Sequence, residues 1–236
     1  MALGLTPEET AIVLLSLKVS GVAIALMLPV AFALAWVLAR SRLPGKVLLD
    51  ALVHLPLVVP PVVTGWLLLL AFGGNGPVGR WLENALGLTF MFHWTGAALA
   101  SAVMALPLMV RAIRLSLEAV DRRLEAAART LGAGPWRTFA AITLPLSLPG
   151  VLAGTVLGFA RSLGEFGATI TFVSNIPGET QTLPLAIYAA LQVPGSDAAV
   201  ARLAGLSVLL SVAALLASEA LVRRGPLGRS GGGHGL

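Results

Sequence analysis

The sequence predicts an all-α, polytopic membrane protein with five transmembrane helices, and three observations predict it. Apolar residues fill 57% of the 236 positions and charged residues only 11%, against about 25% charged in ordinary soluble domains. A water-soluble fold of this size could not hide so much apolar surface, because its exterior needs polar side chains. The apolar residues also fall in long, recurring runs, without the alternation over about ten residues that marks a membrane barrel. Finally, the basic residues gather between alternate runs, as they do where they fix the orientation of membrane helices.

The first span is expected over residues 11–39, ending at Arg40, Arg42 and Lys46, with a tilt or a kink at Pro29. Lys18, near its outer end, has a stem long enough to reach the headgroups. The preceding segment Thr6-Pro7-Glu8-Glu9-Thr10 is acidic where a signal peptide would be basic, so the run is read as a span. A second span over 52–72 contains Pro56, Pro60 and Pro61, and Gly73-Gly74-Asn75-Gly76-Pro77 breaks it. Residues 81–92 read as an amphipathic surface segment. A third span over 93–110 stops at Arg111 and Arg114, and a polar stretch follows. The fourth span is expected over 150–173, an outer loop over 174–199 and the fifth span over 200–222, ending at Arg223 and Arg224. Residues 1–224 thus form one transmembrane domain, and the glycine-rich tail 225–236 is expected to be disordered.

Orientation follows from charge. The three segments on one side hold twelve basic residues: Arg40, Arg42, Lys46, Arg111, Arg114, Arg122, Arg123, Arg129, Arg137, Arg223, Arg224 and Arg229. The loops of the other side hold one, Arg80. This bias puts the N-terminus outside and the C-terminus in the cytoplasm, and the odd number of spans agrees. The net charge of +5 therefore has a membrane explanation, and no nucleic-acid partner is expected.

The polar stretch, residues 118–145, carries the most specific signal. Residues 118–131 favour a helix, Gly132 suits its C-terminal cap, Pro135 suits the first position of a second helix, and Pro145 should close that helix. A basic, alanine-faced helix pair of this kind is suited to entering a groove on another protein. The segment resembles the cytoplasmic loop of the inner-membrane permeases of ABC importers, whose pattern is Glu-Ala-Ala, three residues, Gly, nine residues, Ile-x-Leu-Pro. Ala127, Ala128, Gly132, Ile142, Leu144 and Pro145 match at that spacing. The pattern's glutamate position holds Ala126, and Glu125 precedes it by one residue.

The resemblance extends over nearly the whole chain. SLKVS at 16–20, HLPLVVPP at 54–61, PLMVRAIR at 107–114, ARSLGEFGAT at 160–169 and FVSNIPGE at 172–179 look like the molybdate-transport permeases, with the sulfate and thiosulfate permeases as the near alternative. It implies the type I importer permease fold in a bacterial inner membrane and a permease homodimer. It also implies two cytoplasmic ABC ATPase subunits and a periplasmic molybdate-binding protein. Tungstate or sulfate could be the transported anion under the same resemblance. On this reading 118–145 is the loop that couples the ATPase to the spans.

Other motifs carry less. The chain lacks a phosphate-binding loop, since its only lysines, Lys18 and Lys46, both precede valine; that loop needs a lysine followed by serine or threonine. ATP hydrolysis is therefore expected on a separate chain. Gly228-Arg-Ser230-Gly-Gly232 fits a nucleophile-elbow pattern formally, but lies in the tail without the strand-to-helix turn that gives the pattern meaning. His54, His93 and His234 have no ligand spacing, and neither a metal nor a cofactor is expected. Arg161 and Glu165 fall mid-span, where ionisable groups are costly unless paired or hydrated. They are read either as a structural ion pair or as a polar lining of the anion pathway. Pro56, Pro60 and Pro61 are read as kinks near a gate or as packing features. An intramembrane lipid-acting enzyme would need clustered catalytic side chains at one interface, and only Arg161 and Glu165 lie deep.

Overall fold

The structure is a computed structural model that describes residues 5–41 and 43–224, with the backbone alone from 217 onward. The tail, including Arg229 and the glycine motif, lies outside the described residues, as does Arg42. Every regular element among the described residues is helical. Among the described residues, four helices are long and apolar enough to cross a membrane, or up to five if one bent pair counts as a span.

Helix α1 spans Pro7–Arg40. Thr6 opens it with a reciprocal cap: its hydroxyl accepts from the Glu9 N–H, and the Glu9 carboxylate accepts from the Thr6 N–H. Helices α2 (Lys46–Val58) and α3 (Pro61–Phe72) replace the expected continuous second span, and their axes differ by 115°. The cause is local. Val59 precedes a proline and takes an extended conformation, Pro60 does the same, and Pro61 starts a new helix at its first position. Pro56 stays inside α2. Amphipathic α4 (Pro77–Leu86) lies earlier than the expected 81–92, because Gly76-Pro77 starts it and Gly87, at φ +64°, ends it.

Helix α5 (Trp94–Ala119) is the centre of the bundle and runs past Arg111 and Arg114, where the third span was expected to stop. Arg114 makes this affordable by pairing with Asp50 at 3.0 Å and Glu118 at 2.8 Å. The expected helix over 118–131 is divided, since Val120 is extended and Asp121 caps a new helix, α6 (Arg122–Thr130), through the Arg123 N–H.

Helix α7 (Pro135–Thr138) continues through a π segment (Phe139–Thr143) into α8 (Leu144–Leu163). Pro145 therefore does not close a helix. The Leu144 N–H reaches the Phe139 carbonyl five residues back, and this widened turn absorbs the proline that follows. The expected fourth span also breaks: α8 ends at Leu163, and α9 (Gly167–Val173) follows after Gly164, Glu165 and Phe166. The expected outer loop contains α10 (Leu183–Leu191), and α11 (Asp197–Arg224) is the last described element.

Small residues let these helices approach closely. Gly150, Gly154 and Gly158 lie on one buried face of α8 against α5. A Cβ on Gly150 would sit 2.1 Å from the Ser116 Cβ, and one on Gly158 would sit 2.7 Å from the Met109 Cγ. Backbone also meets backbone where α3 crosses α9, since a Cβ on Gly65 would lie 2.5 Å from the Ala168 carbonyl oxygen. With no hydrophobic force between helices in lipid, such contacts supply much of the packing energy.

Candidate functional site

The segment 118–145 forms a corner at the end of the bundle that carries Arg40. Helix α6 stops because Gly132, at φ +84°, enters the left-handed region; the Ala133 N–H bonds the Ala128 carbonyl and the Gly132 N–H bonds the Arg129 carbonyl. Pro135 then opens α7. Glu125 faces inward from α6. Its Oε1 lies 3.0 Å from Arg40 Nη2 and accepts a hydrogen bond from the Thr143 hydroxyl at 2.7 Å. One side chain thus joins α6, the end of α1 and the π segment.

An aromatic group reinforces the joint. Phe139 packs edge-on against Trp36 at 5.1 Å, against Phe32 at 6.1 Å and against Trp136 at 6.3 Å between ring centroids. Ala128 and Ile142 are half-buried at the corner, whereas Ala127, Leu144 and Pro145 are exposed. The sequence reading did not single out Leu131 and Trp136. They flank Gly132 and are 88% and 83% exposed, a costly display of apolar surface beside a charged helix.

Arg161 and Glu165 meet, but not on one continuous helix. Arg161 is in the last turn of α8 and Glu165 is in the break. Glu165 Oε2 stands 2.7 Å from Arg161 Nη1, and Oε1 accepts the Ala168 N–H at 2.8 Å at the start of α9. The carboxylate side chain is 1% exposed and the guanidinium side chain 26%. Glu165 therefore neutralises a cation and satisfies an orphan helix N–H together. The break faces the other one. A Cβ on Gly167 would meet Pro61 at 2.8 Å, so both interruptions sit side by side, with Pro60 and Pro61 exposed.

Two further contacts were not anticipated. Glu9 reaches Arg202 of α11 at 2.9 Å. The same carboxylate also accepts the Thr6 N–H at 2.9 Å. The Lys18 ammonium lies 3.7 Å from the centroid of the Trp94 ring, which gives it a protein partner besides the lipid headgroups. Among the described residues, no group of three or more His, Cys, Asp or Glu could hold a metal ion.

A bundle of apolar helices, two of its spans broken at adjacent positions, with a polar corner projecting from one end, is the architecture of a polytopic membrane protein. Residues 21–224 match the family described as binding-protein-dependent transport system inner membrane component. The chain belongs to that family. It is 60% identical over 219 residues to the molybdenum transport system permease protein ModB of Escherichia coli K12, covering 93% of this chain and 96% of that one. ModB of Haemophilus influenzae is 59% identical over 216 residues, covering 92% and 94%. The E. coli sulfate transport system permease protein CysT is more distant, at 37% over 201 residues, covering 85% and 71%.

Solved structures agree on the fold. The inward-facing MetNI methionine ABC transporter aligns with a TM-score of 0.71 at 16% identity over 93% of this chain and 98% of the other. A bacterial ABC transporter that imports alginate aligns with a TM-score of 0.73 at 19% identity, covering 93% and 80%.

Proposed function

We propose that this chain carries molybdate across the bacterial inner membrane, as a homodimer served by two cytoplasmic ATPase subunits and a periplasmic molybdate-binding protein. The observation that carries the reading is the 60% identity to ModB over 93% of the chain, against 37% to the sulfate permease. The excess of basic residues on one side supports a cytoplasmic 118–145 corner and an N-terminus outside. A reporter fused near Pro177 should then lie outside, and an inside result would reverse the orientation.

The geometry supports a route from ATPase to pathway. Leu131 offers the corner to a partner, while Glu125 and the aromatic group bind it to α1. From Pro135 the helix runs unbroken to Leu163, 29 residues, or about 43 Å. A push on the corner would therefore reach the break at Gly164, and from there α9 and the α3 it touches through Gly65. Interrupted helices that meet in this way are where transporters place gates and ion sites. The described spans carry few fixed polar groups, so anion choice falls to the binding protein. Uptake of labelled molybdate and sulfate by a strain lacking its own permease tests the proposal. Restored molybdate uptake without sulfate uptake is expected, and the reverse pattern would overturn it.

A further inference from the structure

Two cavities adjoin at the corner, one charged and one apolar. The first, about 340 Å³, has Arg40, Arg122 and Arg129 in its wall, with Glu125 as its acidic group. The second, about 440 Å³, is walled by Phe32, Ala33, Val37 and Trp136. Both share Trp36, Pro135 and Phe139. The charged half has more cation than it can neutralise internally. Glu125 is already engaged by Arg40 and Thr143, Arg122 and Arg129 are exposed, and Arg40 Nε is buried without a hydrogen-bond partner.

We infer that the two cavities together form a groove that binds one anionic glycerophospholipid, its phosphodiester among Arg40, Arg122 and Arg129 and an acyl chain along Phe32, Trp36 and Phe139. Charge complementarity favours this occupant, because three guanidinium groups facing one carboxylate suit a phosphate that accepts paired N–H bonds. Position favours it too. Residues 32–37 belong to the apolar span of α1, so the greasy half lies along a helix apolar enough to cross the membrane. From Phe32 to Arg40 the groove follows about 12 Å of helix, crossing from hydrocarbon to headgroup level. A lipid there would rest against α1 and the corner together, and would make the attachment of the corner depend on the bilayer.

Native mass spectrometry of the full-length permease, alone and assembled with its ATPase, tests this without reading transport, so its failure is distinct from failure of the molybdate assignment. The probes are phosphatidylglycerol, phosphatidylcholine and inorganic phosphate. Phosphatidylglycerol should be retained in preference to phosphatidylcholine, in both preparations. Each arginine removed should weaken retention about fivefold, so that Arg122→Gln with Arg129→Gln weakens it about twenty-five-fold. Arg111→Gln, exposed and outside the groove, should change nothing. Ala33→Trp should fill the apolar half and displace the lipid with the arginines intact. Equal retention of the two lipids, or an unaffected double variant, would overturn the inference. So would displacement by inorganic phosphate, which marks a free-anion site, or loss of the lipid on ATPase assembly, which marks a protein interface.

Discussion

Glu125 Oε1 lies 3.0 Å from Arg40 Nη2 and takes a hydrogen bond from the Thr143 hydroxyl, so one carboxylate oxygen holds three elements at the base of the bundle. The side chains are only 14% and 11% exposed. Glu125→Ala strands the arginine, and breaking a buried pair from one side costs about 3–5 kcal/mol, with the lower end apt for this partly hydrated pair. The variant should show a lower melting temperature in detergent and less transport per ATP hydrolysed. Glu125→Gln retains the acceptor for Thr143 and should fall between. Unchanged melting and coupling in Glu125→Ala would show that the pair does not hold the corner.

Gly132 separates conformation from packing. Its φ is +84°, and a Cβ there would meet nothing within 4 Å, so a side chain meets only backbone strain. Valine in the left-handed region costs on the order of 1–2 kcal/mol. Gly132→Val should insert in the membrane normally but stimulate ATP hydrolysis poorly on assembly, whereas Gly132→Asn, which tolerates that region, should stay near wild type. Equal behaviour of the two variants would remove the corner from the coupling account.

The glycine face of α8 predicts a stability difference along one helix pair. Gly150→Ala places its methyl 2.1 Å from Ser116 Cβ and 2.8 Å from the Ala112 carbonyl oxygen, so α5 and α8 must separate. Overpacking of this kind costs about 1–3 kcal/mol. Gly21→Ala, with open space around it, is the matched control. Thermal unfolding of both should show a loss only for Gly150→Ala.

Glu165 Oε1 accepts the Ala168 N–H, and Oε2 is buried in ion-pair contact with Arg161 without a hydrogen bond of its own, so both oxygens face protein groups, which favours a structural role for the pair. Arg161→Leu leaves a carboxylate buried and unpaired and should sharply reduce folded protein. Arg161→Leu combined with Glu165→Gln removes both charges but keeps an acceptor for the Ala168 N–H. It should restore abundance and also uptake per folded molecule. A double variant that folds yet fails to transport would instead put the pair in the anion pathway.

The sequence made the class of protein readable because membrane spans and basic flanks are signals of composition, independent of contacts. The helix interruptions were harder. Pro56, Pro60 and Pro61 were visible, but whether prolines kink or break a helix depends on what packs against them. Here Val59 and Pro60 are both extended, and α3 turns away. Pro145 looked like a terminator, yet the π segment absorbs it. Glu165 looked like a mid-helix residue because Gly164-Glu165 alone does not announce a break. The sequence reading did not single out the period-four glycines at 150, 154 and 158, whose packing against α5 the structure shows. The Glu9–Arg202 and Glu125–Arg40 pairs join residues far apart in the chain, which a single sequence does not reveal.

Reconstitution tests the central claim most directly. Proteoliposomes holding this permease and its ATPase, with ATP inside and binding protein with labelled molybdate outside, measure the whole route at once. The account predicts that molybdate accumulates against its gradient only when ATP, ATPase and binding protein are all present, and that sulfate does not replace it. Accumulation without ATP, or equal accumulation of sulfate, would contradict it.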